Sequence, residues 1–411
     1  MQNTNSEYQW ETLPNGLRII YRYAESDVSY CGFSVNVGTR DESHGLEGIA
    51  HYVEHMLFKG TEHRTVWHIL NRMENVGGEM NAYTAKEETV IYSVHLEPDI
   101  KRSVELMADL IWGSKFPNDE SEREKEVIVD EINSYRDNPA ELIYDEFENL
   151  MFGGHALGHN ILGDINSIKA ILPEDGRKFL SDHYTPANMV FFFTGKTPYK
   201  KVVKLLETFV PTNSANVTVL TRNAPDIYNP FFKTVKSDNY QAHAIIGNRC
   251  YNMFDDRRIP LFLISNILAG PGMNSLLNIA LRERRGYVYT VESSATCYTD
   301  TGVFAIYFGT DHANINKCFS VIKREFSRLR DNKMTSSRID AVKKQFIGQL
   351  AIGRESRESL ATATGKSFLH YGKCETFKDS VKRIEGITSS QILDVANEVL
   401  DDKQLSTLIF K

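Results

Sequence analysis

The sequence predicts an α+β protein made of two similar domains, each an antiparallel-rich sheet covered by helices. Three observations favour this class. The chain has 411 residues, which at about 150 residues per domain leads us to expect two or three domains. Strand and helix patterns follow the same order in both halves of the chain. A segment rich in Pro, Asn, Thr and Ser separates the two series.

The first half opens with strand patterns and continues mainly with helical ones. A Pro14-Asn15-Gly16 turn signal precedes the first strand, and the second strand alternates with a period of two. One helical pattern stops at Gly77-Gly78, and a longer one ends near Asn138-Pro139. The predicted strands cover residues 17–23, 31–38, 81–84, 89–95 and 189–194. The predicted helices cover residues 45–57, 65–75, 100–114, 119–136, 141–151 and 199–209.

The order of elements begins again after residues 211–230. The predicted strands of this half cover residues 240–247, 288–298, 303–309 and 405–410, and the predicted helices cover 259–268, 275–285 and four segments between 315 and 400. Because the order repeats although residue identity between the halves is low, we predict a duplicated α+β unit of about 200 residues. The predicted domains are 1–210 and 231–411, joined by a linker at 211–230. Two unrelated α+β domains are the alternative.

The composition is that of a globular chain. Charged residues make up 25 % and hydrophobic residues 41 %, and 47 basic against 54 acidic residues give a net charge of −7, so we expect neither nucleic acid nor an anionic membrane as a partner. Five scattered cysteines without a Cys-x-x-Cys pair predict reduced thiols. No signal peptide pattern is seen, and no apolar run approaches the roughly 20 residues that span a bilayer. We therefore predict a cytoplasmic protein without a membrane segment.

A candidate metal motif, His51-Tyr52-Val53-Glu54-His55, lies within the predicted helix 45–57. Residues i and i+4 share one face of a helix, so His51 and His55 can present two imidazole nitrogens to one metal ion. Glu54 can reach a metal-bound water without being a ligand, as in the H-x-x-E-H form of the zincin motif. With 12 histidines in the chain, this pattern is expected by chance roughly 0.03 times. The alternative is a solvated helix face.

The predicted helix 119–136 offers carboxylates for a third ligand. Glu124 and Glu131 are seven residues apart, which is two helical turns, and therefore share a face. Val127 and Ile128 lie on or near the same side, which favours a partly buried carboxylate over a solvated one. Glutamates are nevertheless common on helix surfaces, so the spacing alone leaves a solvated Glu131 as an equal alternative.

These blocks resemble those of the pitrilysin/insulinase metallopeptidases, and in particular the half-length branch that includes the mitochondrial processing peptidase and its bacterial homologues. The resemblance covers nearly the whole chain. HYVEHMLFKGT matches the family's metal block, and Glu131 follows His55 by 76 residues within E-x-E-V-I-V-D-E-I. The resemblance implies one Zn²⁺ per chain, bound by His51, His55 and Glu131. It further implies that Glu54 is the general base and that Glu124 orients a ligand imidazole.

Two further blocks resemble the same family. G-G-E-M-N-A-Y-T, residues 77–84, is similar to the edge strand on which a substrate peptide is added as a β-strand, which implies substrate binding at Asn81 and Ala82. L-R-E-R-R-G-Y-V-Y, residues 281–289, implies that Tyr289 donates a hydrogen bond to the scissile carbonyl and that Arg282 holds a peptide carbonyl or carboxylate. The alternatives are an ordinary hairpin, and an Arg and a Tyr without a role in catalysis.

The resemblance implies a zinc metalloendopeptidase, an inverzincin, that hydrolyses extended or unfolded peptides inside a chamber with metal-activated water. In the family four α+β units build this chamber, whereas this chain has two. The resemblance therefore implies a homodimer with shared active sites, in which Arg282 and Tyr289 of each subunit complete the site of the other. The alternative is a non-catalytic peptide-binding or scaffold subunit of a processing-peptidase-like complex.

Overall fold

A computed structural model describes residues 3–4, 7–212, 221–226, 228–237 and 239–411. Within them the strands are β1 (Asn3–Thr4), β2 (Gln9–Thr12), β3 (Arg18–Tyr23), β4 (Val28–Val35), β5 (Glu79–Thr84), β6 (Thr89–Leu96), β7 (Met189–Gly195), β8 (Phe232–Val235), β9 (Ala242–Cys250), β10 (Val288–Cys297), β11 (Gly302–Thr310) and β12 (Ser406–Phe410). The α-helices are α1 (Ile49–Leu57), α2 (Val66–Glu74), α3 (Ile100–Trp112), α4 (Asn118–Arg136), α5 (Pro139–Phe152), α6 (Ile165–Ala170), α7 (Pro173–His183), α8 (Tyr199–Phe209), α9 (Arg258–Ala269), α10 (Ile315–Asp331), α11 (Ser336–Gly353), α12 (Arg357–Tyr371), α13 (Phe377–Glu385) and α14 (Ser389–Val399). A π-helical segment covers Asn278–Glu283. Of the predicted linker 211–230, residues 213–220 and 227 lie outside the described residues.

The first sheet contains seven strands in the order β1-β2-β3-β7-β4-β6-β5, and only β3 and β7 run parallel. β7 is almost continuously apolar because helices cover both faces of the sheet. Phe191 and Phe193 pack on one face with residues of α1, α3 and α8. Val190 and Phe192 pack on the other face with residues of α12. Among the described strands, β5 pairs with β6 alone and therefore forms an edge of this sheet.

The second sheet contains five strands in the order β10-β11-β9-β12-β8, and only β12 and β8 run parallel. All residues of β11, which pairs with β10 and β9 on its two sides, are buried. Phe304, Ile306 and Phe308 pack with residues of α9, α10 and α14, whereas Ala305 and Tyr307 pack with residues of α5. Two sheets covered by helices confirm the predicted α+β class.

The chain divides into two compact units, each assembled from several segments. The first comprises Met1–Asn133, His159–Arg222 and Arg354–Thr376, and the second comprises Ser134–Gly158, Asn223–Gly353 and Phe377–Lys411. The predicted domains 1–210 and 231–411 are contiguous and differ from these units, because α5 belongs to the second unit and α12 to the first. Each sheet has a second apolar face. Helix α12 covers that face of the first sheet, and α5 covers that of the second.

Several local predictions also differ from the structure. α1 begins at Ile49 rather than residue 45, because Gly45 and Gly48 have φ angles of 87° and 94° that interrupt a helix. The predicted helix 275–285 is π-helical over Asn278–Glu283. Five helices, α10 to α14, follow residue 315 instead of four. Among the helices described, none is both long enough and apolar enough to cross a lipid bilayer.

Candidate metal centre

Helix α1 carries the H-x-x-E-H residues and has a fixed starting point. A Cβ atom on Gly48 would lie 2.6 Å from Ile168 Cδ1 and 2.7 Å from the Leu162 carbonyl oxygen, so a larger residue would clash there. The Glu42 carboxylate accepts hydrogen bonds of 2.9 Å from the backbone N–H groups of Gly48 and Ala50. Glu42 therefore satisfies free donors at the start of α1, and its burial there raises the pKa of its carboxyl to about 8.

His51, His55 and Glu131 bring one donor atom each to a common point. Glu131 Oε2 lies 3.8 Å from His51 Nε2 and 3.7 Å from His55 Nε2. The three donor atoms lie within 4.8 Å of one another, and the described part of the chain contains no second group of three such donors. Ligands bound tetrahedrally at about 2.1 Å from zinc are separated by about 3.4 Å. The observed spacing is therefore close to that of a zinc site.

The state of these donors also suits a metal ion. Burial, assisted by the neighbouring His55, lowers the pKa of His51 to about 3, so this imidazole is neutral at pH 7 as a ligand must be. Both distances to Glu131 are longer than a hydrogen bond. The histidines and the carboxylate thus face one another across a gap instead of pairing directly, and the three residues fit a bound Zn²⁺.

Glu124 supports the site through His55. Its Oε2 lies 3.0 Å from His55 Nδ1, and its Oε1 lies 2.7 Å from Lys59 Nζ. The Glu124 side chain is buried. Because a carboxylate accepts, Nδ1 of His55 carries the proton, and its Nε2 lone pair is left facing Glu131. The structure therefore brings the predicted Glu124 to a position from which it fixes the tautomer of His55.

Glu54 lies on the same helix and contacts the edge strand. The Thr84 hydroxyl donates a hydrogen bond of 2.6 Å to Glu54 Oε2. Burial raises the pKa of Glu54, while the bond from Thr84 acts in the opposite direction. Thr84 is the last residue of β5, so this bond joins the motif helix to the strand that carries Asn81 and Ala82.

Asn81 and Ala82 lie in the middle of β5, paired with Tyr92 and Ile91 of β6. Asn81 is exposed, whereas Ala82 is half-buried and packs against the first core. The backbone on the outer side of β5 has no neighbouring strand among the described residues. The edge position expected for residues 77–84 is thus present in the fold.

Arg282 and Tyr289 belong to the second unit. Arg282 lies within the π-helical segment, a rare conformation that frequently occurs at functional sites. Tyr289 is 74 % exposed and lies at a register shift of β10, where Val288 pairs with Thr310 and Thr290 pairs with Gly309. A bulge of this kind re-aims a side chain, and both residues are accessible to a ligand.

Three contacts around the centre lie beyond the sequence-based prediction: Glu42 with α1, Lys59 with Glu124, and Thr84 with Glu54. Lys59 and Thr84 do fall within the two motif blocks that predicted the site, so a signal for them was present in the sequence. Glu42 stands outside every block and has no such signal.

Two family models match consecutive parts of this chain. Residues 18–165 match the family model of the insulinases, peptidase family M16, and residues 171–346 match a model described as the M16 inactive domain. An uncharacterized zinc protease of Streptomyces coelicolor is 31 % identical over 400 residues, covering 95 % of this chain and 86 % of its own length. One from Bacillus subtilis is 28 % identical over 399 residues, covering 97 % of each chain.

Solved structures show the same fold. A protease from Helicobacter pylori has a TM-score of 0.90 at 22 % identity and covers 98 % of this chain and 99 % of its own. An M16 inactive domain from Pseudomonas fluorescens has a TM-score of 0.91 at 18 % identity, covering 98 % and 97 %. The relatives identified by sequence are named zinc proteases. The chain belongs to the M16, or insulinase, peptidase family, which confirms the resemblance found in the motifs.

Proposed function

We propose that this chain is a zinc metalloendopeptidase of the H-x-x-E-H type that hydrolyses extended peptides inside a chamber. The observation that carries the proposal is the convergence of His51, His55 and Glu131 on one point, with the half-buried Glu54 on the same helix. The names of the relatives support zinc as the metal. One set of three donors corresponds to one Zn²⁺ per chain.

Zn²⁺, when bound, supplies Lewis acidity to the peptide carbonyl and to the attacking water. Glu54 takes one proton from that water as its oxygen forms a bond to the carbonyl carbon, and delivers the proton to the amine when the C–N bond breaks. Burial raises the pKa of Glu54, which makes its carboxylate a stronger base for the first step. The Thr84 hydroxyl holds this carboxylate in one orientation.

The Glu124→Gln substitution tests the support given to His55. An amide can present its NH₂ group to Nδ1, which favours the wrong tautomer, and it no longer attracts Lys59. We expect zinc affinity to fall by about 10–100-fold, as for other outer partners of metal-bound histidines. Competition with a coloured zinc chelator measures this, with Glu126→Gln on the same helix as the exposed control. If Glu124→Gln and Glu126→Gln bound zinc with equal affinity, Glu124 would not support the metal site through His55.

Substrate binding on β5 follows from the position of the strand. An extended peptide can pair with the free backbone groups beside Asn81 and Ala82, largely irrespective of its side chains. The strand ends at Thr84, which hydrogen-bonds Glu54. A peptide added to this edge therefore passes close to the proposed general base.

The second unit contributes Arg282 and Tyr289 in this proposal. A tyrosine hydroxyl can stabilise the oxyanion that develops at the scissile carbonyl, and a guanidinium can hold a peptide carbonyl or carboxylate. As the family resemblance implies, we propose a homodimer in which these residues complete the site of the opposite subunit. The high exposure of Tyr289 leaves it free to reach a bound peptide.

Mixing two inactive variants tests the shared site. Glu54→Gln chains lack the base, and Tyr289→Phe chains lack the hydroxyl, so each homodimer is impaired. After subunit exchange, one site of every mixed dimer contains both groups, and we expect peptide cleavage to rise to about a quarter of the wild-type rate for equal amounts of the two chains. Failure of activity to recover, in a mixture shown by tagged copies to contain mixed dimers, would contradict the shared site.

A non-catalytic, peptide-binding subunit is the second candidate. It is favoured by one observation, the match of residues 171–346 to a domain described as inactive. Zinc content per chain, measured together with cleavage of an unstructured peptide, separates the two functions. The proposed enzyme binds one zinc and loses cleavage in chelator, with recovery after zinc is added back. Peptide binding without cleavage in the zinc-loaded chain would favour the scaffold.

A further inference from the structure

A pocket of about 750 Å³ opens within the second unit. Residues of α9, the π-helical segment, α10 and α11 line it, and none of the residues assigned to peptide hydrolysis is among them. Its apolar wall includes the buried Ile267, Leu329 and Val342. Pockets of roughly 300–1,000 Å³ hold small molecules, so this volume suits a compact ligand with an apolar part.

The charged residues around this pocket are mainly cationic. Arg284, Arg328, Lys333 and Arg338 line it, against the single carboxylate of Glu325. Glu325 lies 2.9 Å from Arg328, which neutralises that pair. Within the described residues no ion pair involves Arg284, Lys333 or Arg338, so three positive charges are left at the pocket. An anion is the ligand that these charges favour.

One wall of the pocket is held by side-chain hydrogen bonds. The amides of Asn274 and Gln345, which both line the pocket, bond to each other at 3.0 and 3.2 Å. Ser275 also lines the pocket, but its Oγ has less than 1 Å² of accessible surface and therefore lies behind this lining. The polar atoms that face a ligand are thus mainly those of the cationic side chains and the two amides.

We propose that this pocket binds a small amphipathic anion, a carboxylate or phosphate monoester attached to a short apolar chain. The anionic group is held by Arg284, Lys333 and Arg338, since guanidinium groups match the geometry of both carboxylate and phosphate. The apolar chain packs on the wall formed by Ile267, Leu329 and Val342. This site is separate from the proposed peptidase function and does not require it.

Calorimetric titration of the full chain with four matched probes tests the site. Hexanoate and hexyl phosphate carry the two anionic groups, hexanamide is neutral, and hexylamine is cationic. We expect one anion to bind with a stoichiometry of one and at least about tenfold more tightly than hexanamide, with no saturable binding of hexylamine. The tighter anion identifies the group as carboxylate or phosphate. Equal affinity for hexanamide, or no saturation by either anion up to about 10 mM, would overturn the proposal.

Two substitutions locate the binding. Arg338→Gln should weaken the affinity for the preferred anion about tenfold. Lys344 is an exposed cation of the same helix outside the pocket, and Lys344→Gln should change this affinity less than about twofold. Equal losses in Arg338→Gln and Lys344→Gln would reduce the effect to general charge attraction and refute the site.

Discussion

The Glu54→Gln chain should retain its zinc and lose peptide hydrolysis. Glutamine has nearly the shape of glutamate, and the Thr84 hydroxyl can still donate to its amide oxygen, so the helix and the metal ligands are undisturbed. The amide cannot take a proton from water. General base catalysis contributes about 10²–10⁴-fold, and we expect the rate of cleavage of an unstructured peptide to fall by at least this range.

The comparison needs zinc-loaded proteins of equal metal content. Glu126→Gln, an exposed glutamate of α4, is the matched control and should cleave at the wild-type rate. Elemental analysis of both variants verifies that zinc is present. Wild-type cleavage by the Glu54→Gln chain would eliminate Glu54 as the base, whatever the metal content.

The Glu131→Gln chain should lose zinc binding and, with it, activity. The substitution replaces a charged ligand of Zn²⁺ by a neutral amide oxygen. Outer partners alone account for about 10–100-fold in metal affinity, so the loss of a direct ligand should exceed that range. The side chain of Glu131 is 45 % exposed, and the fold does not depend on it.

Thermal unfolding distinguishes this from misfolding. In chelator, the wild-type and Glu131→Gln chains should unfold within about 2 °C of each other, as expected for an exposed position. Excess zinc should raise the unfolding temperature of the wild-type chain but not of the variant, because only the wild-type folded state binds the metal tightly. An equal rise in both would show that Glu131 is not a ligand.

Two of the proposed metal ligands could be placed together from the sequence because local periodicity determines where they lie. His51 and His55 share a helix face through their spacing alone. Glu131 required more, since many exposed glutamates have similar spacing, and the family resemblance separated it from them. The structure brings its carboxylate within 3.8 Å of both imidazoles.

The supporting contacts were not predictable in the same way. The bond of Thr84 to Glu54 joins residues 30 positions apart and had no counterpart in the sequence patterns. The contact of Glu124 with His55 joins residues 69 apart, and only the family resemblance led us to expect that Glu124 would contact a ligand imidazole. Contacts between residues so far apart in the sequence form when a sheet edge packs against two helices. No single window of the sequence contains all three elements. The bulge at Tyr289 likewise depends on the register of β10 against β11, and a pattern of alternating residues does not reveal one extra position.

The placement of α5 in the second unit and of α12 in the first could not be predicted, for a related reason. Both helices were recognisable as helices, but their periodicity shows only that one face is apolar and not which sheet it covers. The signal lay in β7, whose continuous run of apolar residues requires cover on both faces. Residues 1–210 lack a helix for the second face, and α12 supplies it.

That arrangement imposes an order on folding during synthesis. On the face of the first sheet that carries Val190 and Phe192, the covering helix among the described residues is α12, through Ala361, Phe368 and Leu369. A ribosome must therefore release residues beyond 371 before the first unit can close, long after His51, His55 and Glu131 have emerged. Until then one face of the sheet is bare, and the nascent chain needs protection from aggregation. Lys366 and His370 of α12 both contact Glu88, which directly precedes β6. These contacts attach α12, which is synthesised late, to a sheet whose strands are synthesised earlier.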